Sequence, residues 1–315
     1  MHFDVVVNPA GASGRTRKYW LNTIEPLFSG ADYTVHYSAP DRSITDICRE
    51  LTETGKHVNL VIVGGDGTMN EAVNGIADFT NVSVGLIPCG SGNDLARDLP
   101  VQKDPEKNVK MILSGKVSRQ IDIGEAIYRN CGGMTGTHSE DRGSRRFVIS
   151  AGAGFDAETC VIVQRSAMKK FLNKIHLGKL IYIAVAAGLI FKMEKFSVMM
   201  DTGRKKLTFP NCMFTVAMNH KFEGGGFKFC PNADDTDGVL DLCTAGDFTR
   251  GEFFRIFPSA YSGSHEKFAK VYPDRAAHVR YRTDRPVWIH TDGEPVCRSD
   301  DFEFRIINQK MNMLI

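Results

Sequence analysis

The sequence of 315 residues lacks the features that define several common protein classes. Its net charge is only +2, so no excess of one sign predicts a nucleic-acid partner. It has eight cysteines but no Cys-x-x-Cys pair, which argues against both a disulfide scaffold and a zinc site. Several cysteines have apolar neighbours and are expected to be small core residues: Cys48, Cys89, Cys160, Cys212 and Cys243.

Long hydrophobic runs are also missing. The most apolar stretch, residues 177–191, contains Lys179 and stops at Lys192, so it is shorter than the roughly 20 residues that cross a bilayer. We interpret it as a buried helix. The first residues enter a strand directly, without the basic and apolar segments of a signal peptide. These absences predict a cytoplasmic protein.

Three short apolar runs each lead into a loop rich in small residues, within residues 5–14, 59–71 and 84–94. The apolar runs predict buried parallel strands. Ligands bind outside the carboxyl ends of such strands, so we expect the loops to face one crevice. Glycine loops that open helices present backbone N–H groups, which suit phosphate. The set predicts a nucleotide triphosphate site, although no loop matches the P-loop or dinucleotide fingerprint.

The order of predicted elements divides the chain in two. Residues 1–120 alternate strands and helices, which predicts a doubly wound nucleotide-binding α/β domain. Residues 121–299 predict a mostly antiparallel β-sandwich domain with a helical insert near 157–194. The predicted elements of the first half are strands 3–8, 32–37, 59–63 and 83–87 and helices 15–28, 43–54, 68–77 and 105–114. Those of the second are strands 146–151, 196–201, 212–218, 239–244, 278–281, 286–291 and 301–307, a helix near 249–262 and a flexible hairpin loop at 130–145.

The ordered motifs resemble those of the diacylglycerol kinase catalytic family, which includes soluble bacterial lipid kinases and the sphingosine and ceramide kinases. The motifs are residues 8–9, 64–68, 90–94, 231–241 and 291–295, and they span almost the whole chain. The resemblance implies a kinase that uses ATP and Mg²⁺ to phosphorylate a lipid alcohol, most simply diacylglycerol to phosphatidic acid. It also implies that residues from about 300 to 315 return to the first domain, and it is compatible with a homodimer.

The same resemblance assigns residues to the ATP site: Asn8, Pro9, Ala10, Gly11, Ser13, Gly14, Ser38, Gly64, Gly65, Asp66, Gly67, Thr68, Asn70, Glu71, Gly90, Ser91 and Asn93. It assigns the catalytic acids Asp66, Asp94, Asp292 and Glu294. Asp66 and Asp94 follow adjacent strands and suit Mg²⁺, which prefers one or two carboxylates. The alternative is that Asp94 caps the next helix, but Asn93 already offers a cap there.

Two acidic turns carry the remaining chemistry of the second domain. Asp292 and Glu294 lie at a strand end, where an Asp-Gly hairpin turn is the ordinary alternative. The resemblance implies that one of them is the base, with Glu294 preferred and Asp292 in contact with the metal or the hydroxyl. The resemblance implies a structural metal bound by Asp234, Asp237 and the carbonyl of Val239. Mg²⁺ and Ca²⁺ both remain open, as does a solvated turn with side-chain hydrogen bonds. His290 has apolar neighbours and is expected to be a strand residue rather than a ligand.

Residues 168–179 interleave lysines with apolar residues, so they predict either a helix at an anionic membrane surface or a solvated helix over the core. Residues 221–227 are a candidate lip of a lipid pocket. Two other functions remain open. One is an NAD kinase-like enzyme with a soluble acceptor, since Gly-Gly-Asp-Gly is shared with such kinases. The other is a catalytically silent lipid-binding regulator. The acceptor could be diacylglycerol, monoacylglycerol, a sphingoid base or an undecaprenol-like alcohol.

Overall fold

The computed structural model describes residues 1–131, 142–165 and 188–315. These residues form two compact units: unit 1 is Met1–Ile123 with Asn308–Ile315, and unit 2 is Gly124–Ile307. The helix predicted at 168–179 lies outside the described residues, as do most of the apolar stretch 177–191 and of the loop 130–145.

Unit 1 is built on a parallel sheet. Its strands are β1 (His2–Val7), β2 (Asp32–Tyr37), β3 (Val58–Gly64) and β4 (Val82–Pro88). They lie in the order β2-β1-β3-β4, with parallel pairing throughout. Met313, at the end of the last strand, pairs with β4 in parallel. Strand β3 is buried along its whole length, and its residues 60–63 form a continuous apolar run, as expected of a buried parallel strand.

The helices of unit 1 follow the strands as βα units. Their bounds are α1 (Gly11–Tyr19), α2 (Ile44–Thr52), α3 (Asp66–Gly75), α4 (Asp94–Asp98) and α5 (Pro105–Leu113). The first differs from the prediction of a helix over 15–28. After Tyr19 the chain forms a π turn (Trp20–Ile24) and a 3₁₀ turn (Glu25–Phe28). Pro26 lacks an N–H group and so cannot continue an α-helix.

Unit 2 is predominantly antiparallel. Its strands are β5 (Arg119–Arg129, which begins in unit 1), β6 (Arg142–Phe147), β7 (Ser150–Gly154), β8 (Phe196–Asp201), β9 (Lys206–Met218), β10 (Leu240–Gly246), β11 (Val271–Ala276), β12 (His278–Thr291) and β13 (Glu294–Met313). The order β11-β10-β9-β7-β12-β13 places β7 between β9 and β12. The predicted fold class is confirmed.

The helices of unit 2 include α6 (Phe155–Arg165) and α7 (Arg250–Ile256), and residues 188–192 are also helical. The helix predicted near 249–262 is α7 followed by a 3₁₀ turn (Phe257–Tyr261), because Pro258 breaks the α-helical pattern. Strand β6 extends into the predicted loop 130–145. Within the described residues, no helix is both long and apolar enough to span a bilayer.

One disulfide joins Cys131 and Cys297 in unit 2, a pairing that the spacing of the cysteines did not reveal. Cys48, Cys212 and Cys243 are buried, as expected of core residues. Cys89 and Cys160 are only partly buried. Burial raises the pKa of Cys89 to about 12, which argues against a reactive thiol beside the glycine loop.

Candidate active site

The strand order of unit 1 reverses direction between β1 and β3, which defines a topological switch point. In an open parallel sheet, the ligand crevice lies outside the carboxyl ends of the strands at such a point. The first two loops begin there. The amide of Asn8 donates to the Val63 carbonyl at 3.3 Å, and its side chain donates to Thr68 Oγ1 at 3.2 Å. These hydrogen bonds extend the pairing of β1 and β3 into the two loops and hold the loops against each other.

The turn that opens α1 has an unusual backbone. Ala12, Ser13 and Gly14 have φ values of 48°, 60° and 86°, so three successive residues are left-handed. Two of them are not glycine, and such conformations are concentrated at functional sites. The turn is held by the Gly14 amide, which donates to Ala10 at 3.1 Å. The predicted nucleotide residues of this loop therefore lie on a fixed, strained turn.

Gly65 and Gly90 let the second and third loops touch through their backbones. A Cβ atom on Gly65 would lie 2.9 Å from Cα of Gly90, a distance that real side chains do not reach. A Cβ on Gly64 would lie 2.4 Å from the Thr68 side chain. The Cys89 amide also donates to the Gly64 carbonyl at 2.8 Å. The loops thus form a backbone cradle that admits no side chain, which is what the close approach of a phosphate chain requires.

Asp66 caps α4 from a distance. Its two carboxylate oxygens accept from the amides of Asp94, at 3.1 Å, and Leu95, at 3.2 Å. The side chain of Asn93 instead binds the backbone of Gly90, accepting at 2.8 Å and donating at 2.9 Å. The expectation that Asn93 caps this helix is therefore wrong, because its side chain closes the glycine turn.

Asp66 and Asp94 are brought together as predicted. A Cβ on Gly92 would lie 3.2 Å from Asp66 Oδ2 and 3.5 Å from Asp94 Oδ2. Asp94 is almost fully buried, and Nε of Arg97 lies 3.6 Å from its Oδ1. Two carboxylates that converge beside a backbone cradle suit a divalent cation bound to phosphate.

The other predicted nucleotide residues line the same end of the sheet. The Ser38 amide, directly after β2, donates to the Val7 carbonyl at 3.1 Å. Gly67, Asn70 and Glu71 lie in the first turns of α3, and Asn70 is fully buried. Ser91 is exposed in the third loop.

In unit 2, Asp292 is bound by backbone amides. Its carboxylate accepts from the N–H groups of Ile149 at 2.7 Å, Ser150 at 3.0 Å and Val148 at 3.0 Å. Its own amide donates to the Ser150 carbonyl at 2.8 Å, and its φ is +50°. Asp292 therefore fixes the turn after β12 to the start of β7. The neighbouring Glu294 is half-buried and accepts from the side chain of Gln164.

A buried polar cluster supports the same turn. Nε2 of His290 lies 2.9 Å from Asp156 Oδ2 and 3.3 Å from Glu223 Oε1, and all three residues are buried. The Gly293 amide donates to Nδ1 at 3.1 Å. The cluster thus links the turn of Asp292 to α6.

The ligand atoms of this cluster lie within 4.8 Å of one another, which is close enough to hold a metal ion. A metal on Nε2 would require a proton on Nδ1, where the Gly293 amide already donates. The geometry therefore favours a hydrogen-bonded network. Sequence reasoning missed it and treated His290 as an ordinary strand residue. The sequence did contain a signal for this cluster. A predicted strand is followed by Gly154 and then by Asp156, which is the same order of strand, glycine and acid as in unit 1.

The side chains of the acidic loop at 234–239 have protein partners. Asp234 accepts from the amide of Thr236 at 3.0 Å and from its hydroxyl at 2.7 Å. Asp237 accepts from the Val239 amide at 3.1 Å and pairs with Arg275. These contacts have the form of side-chain-stabilised turns.

Comparison with known proteins shows which family the chain belongs to. Residues 2–126 match the model of the diacylglycerol kinase catalytic domain, and residues 149–313 match that of the YegS C-terminal NAD kinase beta sandwich-like domain. The chain belongs to the diacylglycerol kinase catalytic family and is a lipid kinase.

Individual relatives are distant in sequence. A diacylglycerol kinase of Bacillus subtilis is 27% identical and covers 92% of this chain and 88% of its own. One from Mycobacterium tuberculosis is 28% identical over 76% of this chain and 71% of its own. A solved diacylglycerol kinase from Bacillus anthracis has a TM-score of 0.68 at 17% identity and covers 99% of this chain and 96% of its own. An NAD kinase from Archaeoglobus fulgidus in complex with ATP has a TM-score of 0.51 at 10% identity and covers 100% of this chain and 94% of its own. At these identities the structures show a shared fold.

Proposed function

We propose that the chain transfers the γ-phosphate of ATP to the hydroxyl of a neutral lipid, with Mg²⁺ as cofactor and diacylglycerol as the first candidate acceptor. The observation that carries the proposal is the convergence of Asp66 and Asp94 beside the Gly65–Gly90 backbone contact. Relatives named diacylglycerol kinases support the choice of acceptor. Phosphoryl transfer depends mainly on positioning and charge stabilisation, which such an arrangement provides.

Unit 1 has the role of the nucleotide-binding domain in this proposal. The amides of its three loops hold the phosphates, and Asp66 and Asp94 hold Mg²⁺, directly or through water. When bound, Mg²⁺ neutralises charge on the phosphates. Asp66 also keeps α4 in place through its hydrogen bonds to the amides of Asp94 and Leu95. The same carboxylate thus orders the loop and contributes the charge.

Unit 2 has the role of the lipid-substrate domain. We assign the base to Glu294, whose carboxylate accepts the proton that the lipid hydroxyl loses. Asp292 is a positioning residue, because three backbone amides engage its carboxylate. The structural metal bound by Asp234, Asp237 and the Val239 carbonyl remains part of the proposal. Contact with the membrane surface follows from the acceptor.

Two variants separate the roles of the acids in unit 2. Glu294→Gln should leave the fold intact and lower kcat by roughly 10²–10⁴-fold, the usual contribution of a general base. Asp292→Asn places a donor against backbone donors and should destabilise the chain by about 1–3 kcal/mol. Labelled-phosphate transfer and thermal unfolding are measured on both. If Glu294→Gln kept full activity while Asp292→Asn folded normally but lost activity, the base would be Asp292 and not Glu294.

A further inference from the structure

Exposed aromatic side chains of unit 2 meet on its surface. Phe191 is 53% exposed and Phe254, on α7, is 47% exposed, yet their ring centroids lie 5.5 Å apart. The adjacent residue Phe253 is buried, and its ring packs 5.2 Å from that of Phe155. Helix α7 is therefore anchored in the core by one aromatic residue while it presents the next to solvent. Large exposed aromatic rings in contact are typical of an interaction surface.

Positive charge surrounds this aromatic pair. Lys192 follows Phe191, and Arg250 and Arg255 flank Phe254 on α7; all three cations are exposed. Arg250 donates to the carbonyl of Met193 at 3.2 Å, which is a neutral partner, and it pairs with no carboxylate in the described part of the chain. We name Phe191, Phe254, Lys192, Arg250 and Arg255 the aromatic–basic patch.

Two acidic residues close to the patch in sequence pair with cations outside it. Glu194 pairs with Arg285, and Glu252 pairs with Lys270 at 2.8 Å. Within the described residues, neither carboxylate forms an ion pair with Lys192, Arg250 or Arg255. The patch therefore has a net positive field next to apolar rings.

A cavity of about 300 Å³ opens beside the patch. Its described charged lining residues are three cations and two carboxylates: Lys192, Arg285, Arg298, Glu158 and Glu194. Burial raises the pKa of Glu158, which weakens the negative contribution. Leu189 and Met193 add apolar walls. A cavity with a cationic excess and apolar walls matches the phosphate and upper acyl region of a phospholipid.

We propose that the aromatic–basic patch docks unit 2 on a bilayer that contains anionic phospholipid. The aromatic rings enter the interfacial region, and the cations contact lipid phosphates. The choice of a bilayer rests on charge complementarity and on the proposed transfer to a membrane lipid. A second copy of the chain would have to place the same cations against one another, which like charges oppose.

Vesicle co-sedimentation without ATP tests the docking surface separately from catalysis. The vesicles are phosphatidylcholine alone, or equal parts of phosphatidylcholine and phosphatidylglycerol. The full chain should prefer the anionic vesicles and lose binding as salt rises. Lys192→Gln with Arg255→Gln should lower partitioning roughly 10-fold or more, and Phe191→Ser with Phe254→Ser should lower it on both vesicle types.

Matched controls lie elsewhere on the surface. Tyr272→Ser removes an exposed aromatic residue on β11, and Lys107→Gln with Lys110→Gln removes two exposed charges on α5. These variants should bind vesicles as the parent does. Parent-like binding by the patch variants would overturn the inference, as would a dimer in solution that dissociates in Phe191→Ser with Phe254→Ser.

Phosphate transfer to a short-chain, water-soluble diacylglycerol distinguishes the inference from the proposed function. The patch variants should retain this activity while they lose vesicle binding. If the parent chain binds vesicles but phosphorylates no lipid alcohol, the proposed function fails and the docking surface stands. If the patch variants lose transfer to the soluble acceptor in the same proportion as vesicle binding, the surface belongs to catalysis and the docking inference fails.

Discussion

At the scale of single residues, Asp66 has a structural role and a proposed chemical one. Its carboxylate accepts from the amides of Asp94 and Leu95, and it lies in the cradle proposed for Mg²⁺ and phosphate. Asparagine would keep one acceptor oxygen and turn an NH₂ donor toward the other amide, whereas alanine would keep no acceptor. Both substitutions therefore remove the charge and weaken the cap.

Asp66→Asn should lose at least 10²-fold in kcat, since it loses the charge, and about 1 kcal/mol of stability, because its single oxygen can accept from only one of the two amides. Asp66→Ala should lose the same activity and about 1 kcal/mol of stability, because α4 loses its cap. The measurements are phosphate transfer and urea unfolding. Parent-like stability of both variants would show that the cap contributes nothing, and an active Asp66→Asn would remove the carboxylate from the mechanism.

His265 makes stability depend on pH. It is buried, its Nε2 lies 3.0 Å from the Phe229 carbonyl, and burial lowers its pKa. The unfolded chain binds this proton more readily than the folded chain, so the stability from neutral His265 is present above about pH 6.5 and is lost below it. His265→Gln should lose less stability than the parent between pH 7 and pH 5. Parallel melting-temperature profiles would contradict this.

Residue identity alone could not show which acid caps α4. The local sequence suggested Asn93 or Asp94, whereas the cap comes from Asp66, the first residue of α3. Likewise, Asp156, Glu223 and His290 come from distant parts of the chain and meet only after folding. The site-lining glycines were predictable, because Gly65 and Gly90 directly follow apolar strands. The side chains that these glycines bring together were not predictable from the sequence.

At the scale of elements, the glycine loops should tolerate no added side chain. Gly65→Ala pushes its Cβ against Gly90 and should cost about 1–3 kcal/mol while raising the KM for ATP on the order of 10-fold. Gly251→Ala, on α7, is the matched control, since its Cβ would meet no atom within 4 Å. Unfolding and steady-state kinetics are compared. An unchanged KM in Gly65→Ala would argue against the cradle.

The buried strands of unit 1 were predictable to within about a residue, because β3 and β4 are largely apolar segments that lead into glycine-rich turns. The bounds of the longer strands were not predictable in this way. Strand β12 was read as two strands, since its pairing is irregular between Arg282 and Val287. Strand β9 starts at Lys206, ahead of the predicted residue 212, because five of its first six residues are exposed and they form no continuous apolar run. Exposed strand ends lack the apolar signal.

At the scale of the whole molecule, the change from parallel to antiparallel structure was evident in the sequence. Alternating strand and helix signals marked the α/β half, and short β-rich runs marked the other. The acceptor was not evident, because lipid pockets are lined by interchangeable apolar residues. The lipid acceptor must therefore be identified by phosphate-transfer assays on the purified chain.

The most direct measurement follows label from γ-labelled ATP into a panel of lipid alcohols in mixed micelles, with NAD as a soluble acceptor in parallel. With Mg²⁺, label should enter diacylglycerol or another lipid alcohol but not NAD. Chelation of the metal or the substitution Asp66→Asn should abolish the transfer. Label that enters NAD and no lipid, or lipid labelling that survives both treatments, would contradict the account.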